Sequence, residues 1–427
     1  MKTKRNLLIL LIIFYFSVDI HAQSPIIVWQ KCLGGSKDDY ASSIQQTNDK
    51  GYIIAGFTKS NDGNISGNHG GSDFWIVKID NSGNIQWQKC LGGSKDDYAT
   101  SIQQTSDGGF IIAGYTCSKN GDILENHGGS DFWIVKIDNS GNIQWQKCLG
   151  GSKDDYATSI QQTSDGSFII AGYTCSNNRD VSGNHGDYDC WIVKINDIGN
   201  IQWQKCLGGS SSDRAESIQQ TSDGGFIMTG RTGSNDGDVL GNHGGQDYWV
   251  VKLNNIGNIQ WQKCLGGSSS DWVHSIQQTS DGGFIVAGET WSNDGDVSGM
   301  HGDDDYWVVK LDNSGNIKWQ KCLGGSKLDY ATSVQQTNDG GYIISGYTVS
   351  NDGDVSKSIG SVDAWAVKLD NSGNIQWEKS FGGTNDDRFS SILQINDGFV
   401  ATGRTYSNDI NVSGNHGEAD YWIMKIK

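Results

Sequence analysis

Short apolar and polar runs follow one another along this chain in an order that returns every 58 residues. The unit opens at Trp29 as WQKCLGGSKDDYASSIQQT and restarts at Trp87, Trp145, Trp203, Trp261, Trp319 and Trp377, giving seven copies. Each copy holds four β-prone runs, which in the first are residues 42–47, 52–58, 74–80 and 85–91. Asn48-Asp49-Lys50-Gly51, which becomes Ser-Asp-Gly-Gly in later copies, separates the first two as a hairpin turn. Asn81-Ser82-Gly83-Asn84 separates the last two, and a long polar loop joins the middle pair. Helical periodicity is absent. A fixed period of this kind marks a repeat array, whose neighbours bury together what no copy could bury alone.

Four antiparallel strands repeated seven times predict an all-β, seven-bladed β-propeller. YIIAG and FWIVKI are apolar on both faces, as suits blades packed between two neighbours. The more polar SSIQQT suits the innermost strand, beside a central channel. Tryptophans in the third and fourth runs account for fourteen of the sixteen, and inter-blade packing is their expected task. The chain opens on an outer strand, residues 26–33, and stops at the end of a third strand. The N-terminal strand is therefore expected to complete the last blade and close the ring.

The run LGGSKDDYA…IQQTSDGGFIIAGYT…DFWIVK resembles the repeats of secreted Bacteroidota-type β-propeller proteins, and the strand order is similar to kelch-type propellers. The resemblance covers nearly all of the chain and implies a fold rather than an activity.

Lys2, Lys4 and Arg5, followed by an apolar core from Leu7 to Val18 and by Ala22, read as a signal peptide over residues 1–22. Residues 23–427 then form one propeller, exported to the periplasm, the cell surface or the medium. Removing the leader moves the net charge from −17 to about −19. Such an acidic chain is not expected to bind nucleic acid, and no membrane insertion follows from its composition. A monomer is expected. Six of the nine cysteines (Cys32, Cys90, Cys148, Cys206, Cys264, Cys322) hold one repeat position, too far apart to pair. Cys117, Cys175 and Cys190 leave an odd total.

Internal comparison of the copies sorts structural from functional candidates. Asp39 and Asp73 have counterparts in all seven copies, so their expected role is to accept loop hydrogen bonds. Calcium is a competing reading for some loops. Asp62, Asn64, Ser66 and Asp73 approximate an oxygen-ligand loop, as do Asp294, Asp296, Ser298 and Asp305, and Asp409, Asn411, Ser413 and Asp420. His69 and its counterparts read as loop packing. No other cofactor is implied.

The informative departures are paired. Tyr40 and Phe57 should face each other across the first hairpin, and the pair becomes Arg214/Arg231, Trp272/Glu289 and Arg388/Arg404 in copies four, five and seven. Facing arginines call for a negative neighbour, either Asp213 or Asp387 next door or a bound anion or acidic sugar. Trp272 and Trp291 offer flat faces of the kind sugars stack on. These residues form the candidate ligand patch of a non-enzymatic module for a glycan or protein partner on the long-loop face. A structural surface protein is the alternative. A glycosidase ranks third, because Arg388, Arg404 and Tyr406 invite comparison with sialidases but no carboxylate pair unique to one blade is evident.

Overall fold

The computed structural model describes residues 24–427 and resolves them into twenty-eight strands with no helix among them; the expected signal peptide lies outside the described residues. Blade one consists of β2 (Asp39–Gln46), β3 (Tyr52–Thr58), β4 (Asp73–Ile79) and β5 (Ile85–Leu91), hydrogen-bonded in that order as an antiparallel sheet. Blades two to six repeat it. Blade seven takes β26 (Asp387–Ile395), β27 (Gly398–Thr405) and β28 (Asp420–Ile426) from the C-terminal end and β1 (Ile27–Leu33) from the other. Leu33 pairs with Tyr421 and Ile27 with Ile426, so the ring closes as expected.

Two boundaries differ from the sequence reading. The first strand of each blade begins three residues earlier, because Asp39 enters the ladder opposite Thr58, with a bulge between Ala41 and Ser43. The third begins at Asp73, also paired with Thr58, and ends before Asp80.

The seams between blades hold the core, in seven clusters. β4 is buried along its whole length, and its neighbouring aromatics Phe74 and Trp75 face opposite seams. Trp75 lies 4.3 Å from Tyr421 of the preceding blade, and Phe74 lies 4.5 Å from Trp133 of the next. Such contacts recur around the ring, and each indole N–H donates to a fourth-strand side chain, as from Trp75 to Gln88 at 3.0 Å. The outer Trp29 covers the turn of the next blade, where Gly83 has φ +82° and a Cβ would meet the indole at 3.3 Å. Glycine is required there on both counts.

Buried polar groups tie the ends of the strands. Asp39 accepts from the Thr58 hydroxyl, from Ser60 Oγ at 3.0 Å and from Gly35 N at 2.8 Å. At the opposite end the buried Lys78 ammonium lies 2.9 Å from Asp49 Oδ2. FWIVKI was expected to be apolar on both faces; its lysine is buried because the hairpin turn supplies this counter-ion. All nine cysteines are free.

Removal of residues 23–33 would expose β28 and the seam beneath it. The shortened chain is expected to lose cooperative unfolding and to aggregate, as checked by circular dichroism and size-exclusion chromatography.

Burial raises Asp39, Asp155 and Asp329 to about 6. Their folded pKa exceeds the unfolded value, so this contribution to stability is complete below about pH 4 and is lost as pH rises through about 6. Asp49, Asp107 and Asp223 go the other way: burial is outweighed by a threonine hydroxyl and a lysine, which hold them at about 2. Their contribution is present above about pH 4 and is lost as pH falls through about 2. The melting temperature should therefore be higher at pH 5 than at pH 7.5 and fall below pH 3, as read by scanning calorimetry.

Candidate functional site

The first-strand and second-strand residues singled out above form a belt at the long-loop end of the central channel. Tyr40 pairs with Phe57, Arg214 with Arg231, Trp272 with Glu289 and Arg388 with Arg404, in register as expected. Ring contacts then run from blade to blade: Phe57 to Tyr98 at 4.6 Å and Tyr115 to Tyr156 at 4.7 Å. Arginines substitute for rings without breaking the circuit. Arg214 leans back over Tyr173 at 4.9 Å and Tyr188 at 4.7 Å, while Arg231 leans forward over Trp272 at 4.6 Å. In blade seven Arg388 stacks on Tyr347 at 4.2 Å and Arg404 on Tyr40 at 4.5 Å. The paired guanidinium groups therefore part toward opposite neighbours, each over an aromatic face that attracts a cation.

Their counter-ions are not the expected aspartates. Asp213 and Asp387 are occupied by the threonine, serine and glycine donors of their own loops. Arg388 is instead held by Asp386 at 2.7 and 2.6 Å, and Arg231 lies 3.9 Å from Glu216. Arg388 and Arg404 diverge, so with Tyr406 they do not converge on one anion; Tyr406 bonds the Tyr40 hydroxyl and Asp38. Blade six separates them from the patch of blades four and five, which brings together Arg214, Arg231, Trp272, Glu289 and Trp291.

Two residues of that patch escape a reading of the sequence. Glu216 and His274 occupy the position of Thr100, Thr158 and Thr332, whose hydroxyls lie within 3.1 Å of carbonyls on their own and the next blade. In blades four and five this tie gives way to ionisable groups. His274 Nε2 lies 3.1 Å from Oε1 and 2.8 Å from Oε2 of Glu289, whose side chain is 1% exposed. Burial works against the imidazolium, but the Glu289 carboxylate outweighs it and raises the His274 pKa. Burial also raises Glu216, opposed by His274, Arg231 and Arg214. Next to them Trp272 and Trp291 meet edge to face at 5.0 Å, and Trp291 reaches Tyr330 of blade six at 6.3 Å. Asp304, fully buried at the same seam and raised by burial to about 7, accepts from Asp329 N at 2.7 Å. The signal for Glu216 and His274 is the internal comparison of copies applied two positions further along the strand.

The loops read for calcium spend most of their oxygens locally, while Oδ1 of Asp73, Asp305 and Asp420 is buried without a protein hydrogen-bond partner. Asp62 accepts from Ser36 N at 2.7 Å, Asn64 from Gly34 N at 3.1 Å, Ser66 from Gln88 at 2.8 Å and Asp73 from His69 N at 2.8 Å. Asp294, Asp296, Ser298 and Asp305 repeat these bonds, as do Asp409, Asn411, Ser413 and Asp420. Among the described residues no three His, Cys, Asp or Glu side chains gather as a metal site.

No family model matches this chain. Over 188 residues, 41% of the chain, it is 26% identical to the regulatory protein FlaEY of Caulobacter vibrioides, and it spans 20% of that protein's length. The WD40 domain of Neurospora crassa Pan2 superposes with a TM-score of 0.51 at 13% identity, over 93% of this chain and 95% of that one. Sqt1 of Chaetomium thermophilum gives 0.46 at 10% identity, over 93% and 99%. The Pan2 likeness, together with the topology, establishes the architecture: a seven-bladed β-propeller, a fold that commonly serves as a binding or scaffold module.

Proposed function

We propose that this chain is a secreted, non-enzymatic binding module that holds a glycan or a protein partner on its long-loop face, over the rim of blades four and five. The observation that carries this reading is that Glu216 and His274 stand where the other five copies have threonine or serine, beside arginine and tryptophan belt residues, in two adjoining blades. A hydroxyl that ties neighbouring blades at Thr100, Thr158 and Thr332 gives way there to ionisable groups, which packing alone does not require. A glycan is the better fit. Trp272 and Trp291, packed edge to face and half-buried, give this rim an aromatic surface, and the loops of both blades (residues 207–213, 232–247, 265–271 and 290–305) contain no lysine or arginine. Serines take their place, as in Ser210–Ser212 and Ser268–Ser270.

An enzyme is disfavoured by the same geometry. Glu289 is buried and committed to His274, and Glu216 faces Arg231, so no open acid and base flank a space for substrate. The leader sequence supports export, as a mature chain starting near Gln23.

A glycan array probed with residues 23–427 is expected to show selective binding. Binding should fall at least tenfold when Arg214→Tyr, Arg231→Tyr and Glu216→Thr are combined, which restores residue types found in other blades and strands no charge. A blank array from folded protein would shift the assignment to a protein partner or a structural role, and binding unchanged by the triple variant would place the site elsewhere.

The loops close on backbone donors and need no calcium in this reading. The melting temperature is expected to be the same in EDTA and in millimolar Ca²⁺, and a rise of several degrees with Ca²⁺ would contradict it.

A further inference from the structure

The near-identity of the blades produces a second kind of concavity, on the outer wall of the ring. Between blades three and four a groove of about 540 Å³ runs beside the outermost strand, and between blades five and six an equivalent groove holds about 490 Å³. Both volumes fall in the ~300–1,000 Å³ range of small-ligand sites. The same residues line them at the same places: His185, Lys205 and Asp238 in one, His301, Lys321 and Asp354 in the other. The seam between blades one and two carries the same set, His69, Lys89 and Asp122, with His69 Nε2 3.9 Å from Asp122 Oδ2 across the seam. The seams of blades two and three and of blades four and five keep a histidine, a lysine and an aspartate (His127, Lys147, Asp180; His243, Lys263, Asp296) but change the loop that lines the groove, with Leu124 and Glu125 in place of Ser66 and Gly67 in one and Leu240 in place of the serine in the other. The remaining two seams lose a member of the set: Ile359 stands for the histidine in copy six and Asn64 for the aspartate that faces blade seven.

The three polar groups are complementary in kind. Each histidine turns Nδ1 to the carboxylate at the foot of its loop, as in His185 to Asp189 at 2.7 Å and His301 to Asp305 at 2.8 Å. A neutral imidazole that donates from Nδ1 accepts at Nε2. The groove thus offers an imidazole nitrogen that can accept or donate, an ammonium donor and an acceptor carboxylate from two adjoining blades. An anion would meet the aspartate and a cation would meet the lysine. Hydroxyl groups, which both donate and accept, suit all three.

We infer that the grooves at the seams of blades three and four and of blades five and six, together with the seam of blades one and two that repeats their lining residues, are equivalent binding sites for units of a neutral sugar. Three like sites around one rigid ring engage a repeating polysaccharide together, and their effective concentration raises avidity without any new contact. The inference shares a ligand class with the rim proposal but no residue, so either can fail alone.

The test is calorimetric titration of residues 23–427 with neutral tetrasaccharides of glucan, xylan and mannan type. His69→Ile, His185→Ile and His301→Ile are compared singly and together. Isoleucine is already the natural residue at Ile359, where the backbone N–H still reaches Asp363 at 2.6 Å, so these variants should fold. Lys89→Ala, Lys205→Ala and Lys321→Ala form a second set that leaves the His–Asp contact intact. The expected result is about three sites per chain for at least one tetrasaccharide. Each single variant should remove about one site, and the triple variants should abolish binding and weaken the matching polysaccharide about 100-fold. Folded protein that binds no tetrasaccharide would overturn the inference. So would a single site that survives the triple histidine variant and is lost only with the Arg214, Arg231 and Glu216 substitutions, an outcome that leaves the rim proposal standing.

Discussion

The seam between neighbouring blades is the constraint on which this structure depends. A sheet apolar on both faces has no stable existence alone, and each blade here meets that condition only by lying between two others. Trp75 against Tyr421, and Phe74 against Trp133, show how: adjacent residues on one strand face opposite ways, so each blade gives an aromatic to both seams. Ring closure follows from the same requirement. An open array would leave two faces and two strand edges in water, and β1 removes them by pairing with β28. Charged groups within this frame are tolerated only with partners, as Lys78 is by Asp49 and Asp39 by its three donors.

With the seams satisfied by repetition, departures from the repeat stand out against a structural background. The belt around the channel mouth shows how much variation a packing role absorbs. Tyrosine, phenylalanine, tryptophan and arginine all fit, because a guanidinium is flat and stacks on a ring much as another ring does. The facing arginines are therefore no proof of a bound anion: each has an aromatic face to lie on, and the nearest carboxylates are Glu216 and Asp386. Glu216 and His274 are different. They displace a hydroxyl that bridges two blades at Thr100, Thr158 and Thr332 and put ionisable groups near the channel mouth, and packing gives no reason for either.

The architecture was legible in the sequence because it rests on local and repeated signals. Strand alternation, Asp-Gly turns and a period counted seven times need no knowledge of long-range contacts, and the facing of Tyr40 and Phe57 followed from their near-symmetry about the first hairpin turn, which the ladder reaches through a bulge between Ala41 and Ser43. The site was less legible. Arg214, Arg231, Trp272 and Glu289 were found as anomalies of one facing pair of positions, while Glu216 and His274 lay two residues further along the first strand and Asp304 at the end of a loop. Their proximity depends on the bulge after Ala215 and on the angle between blades, which no single copy encodes.

By itself, then, the chain's pattern determined the number of blades, the order of strands, the closing strand and the face that carries the long loops. Those properties follow from hydrophobic periodicity and turn chemistry, which act over a few residues. Only the tertiary structure decided which charges meet, which arginine turns toward which neighbour, and which loop oxygens are already spent on backbone donors. Those outcomes belong to contacts between blades, where side chains some 58 residues apart compete for the same partners, and the winner is set by distance and burial rather than by residue type.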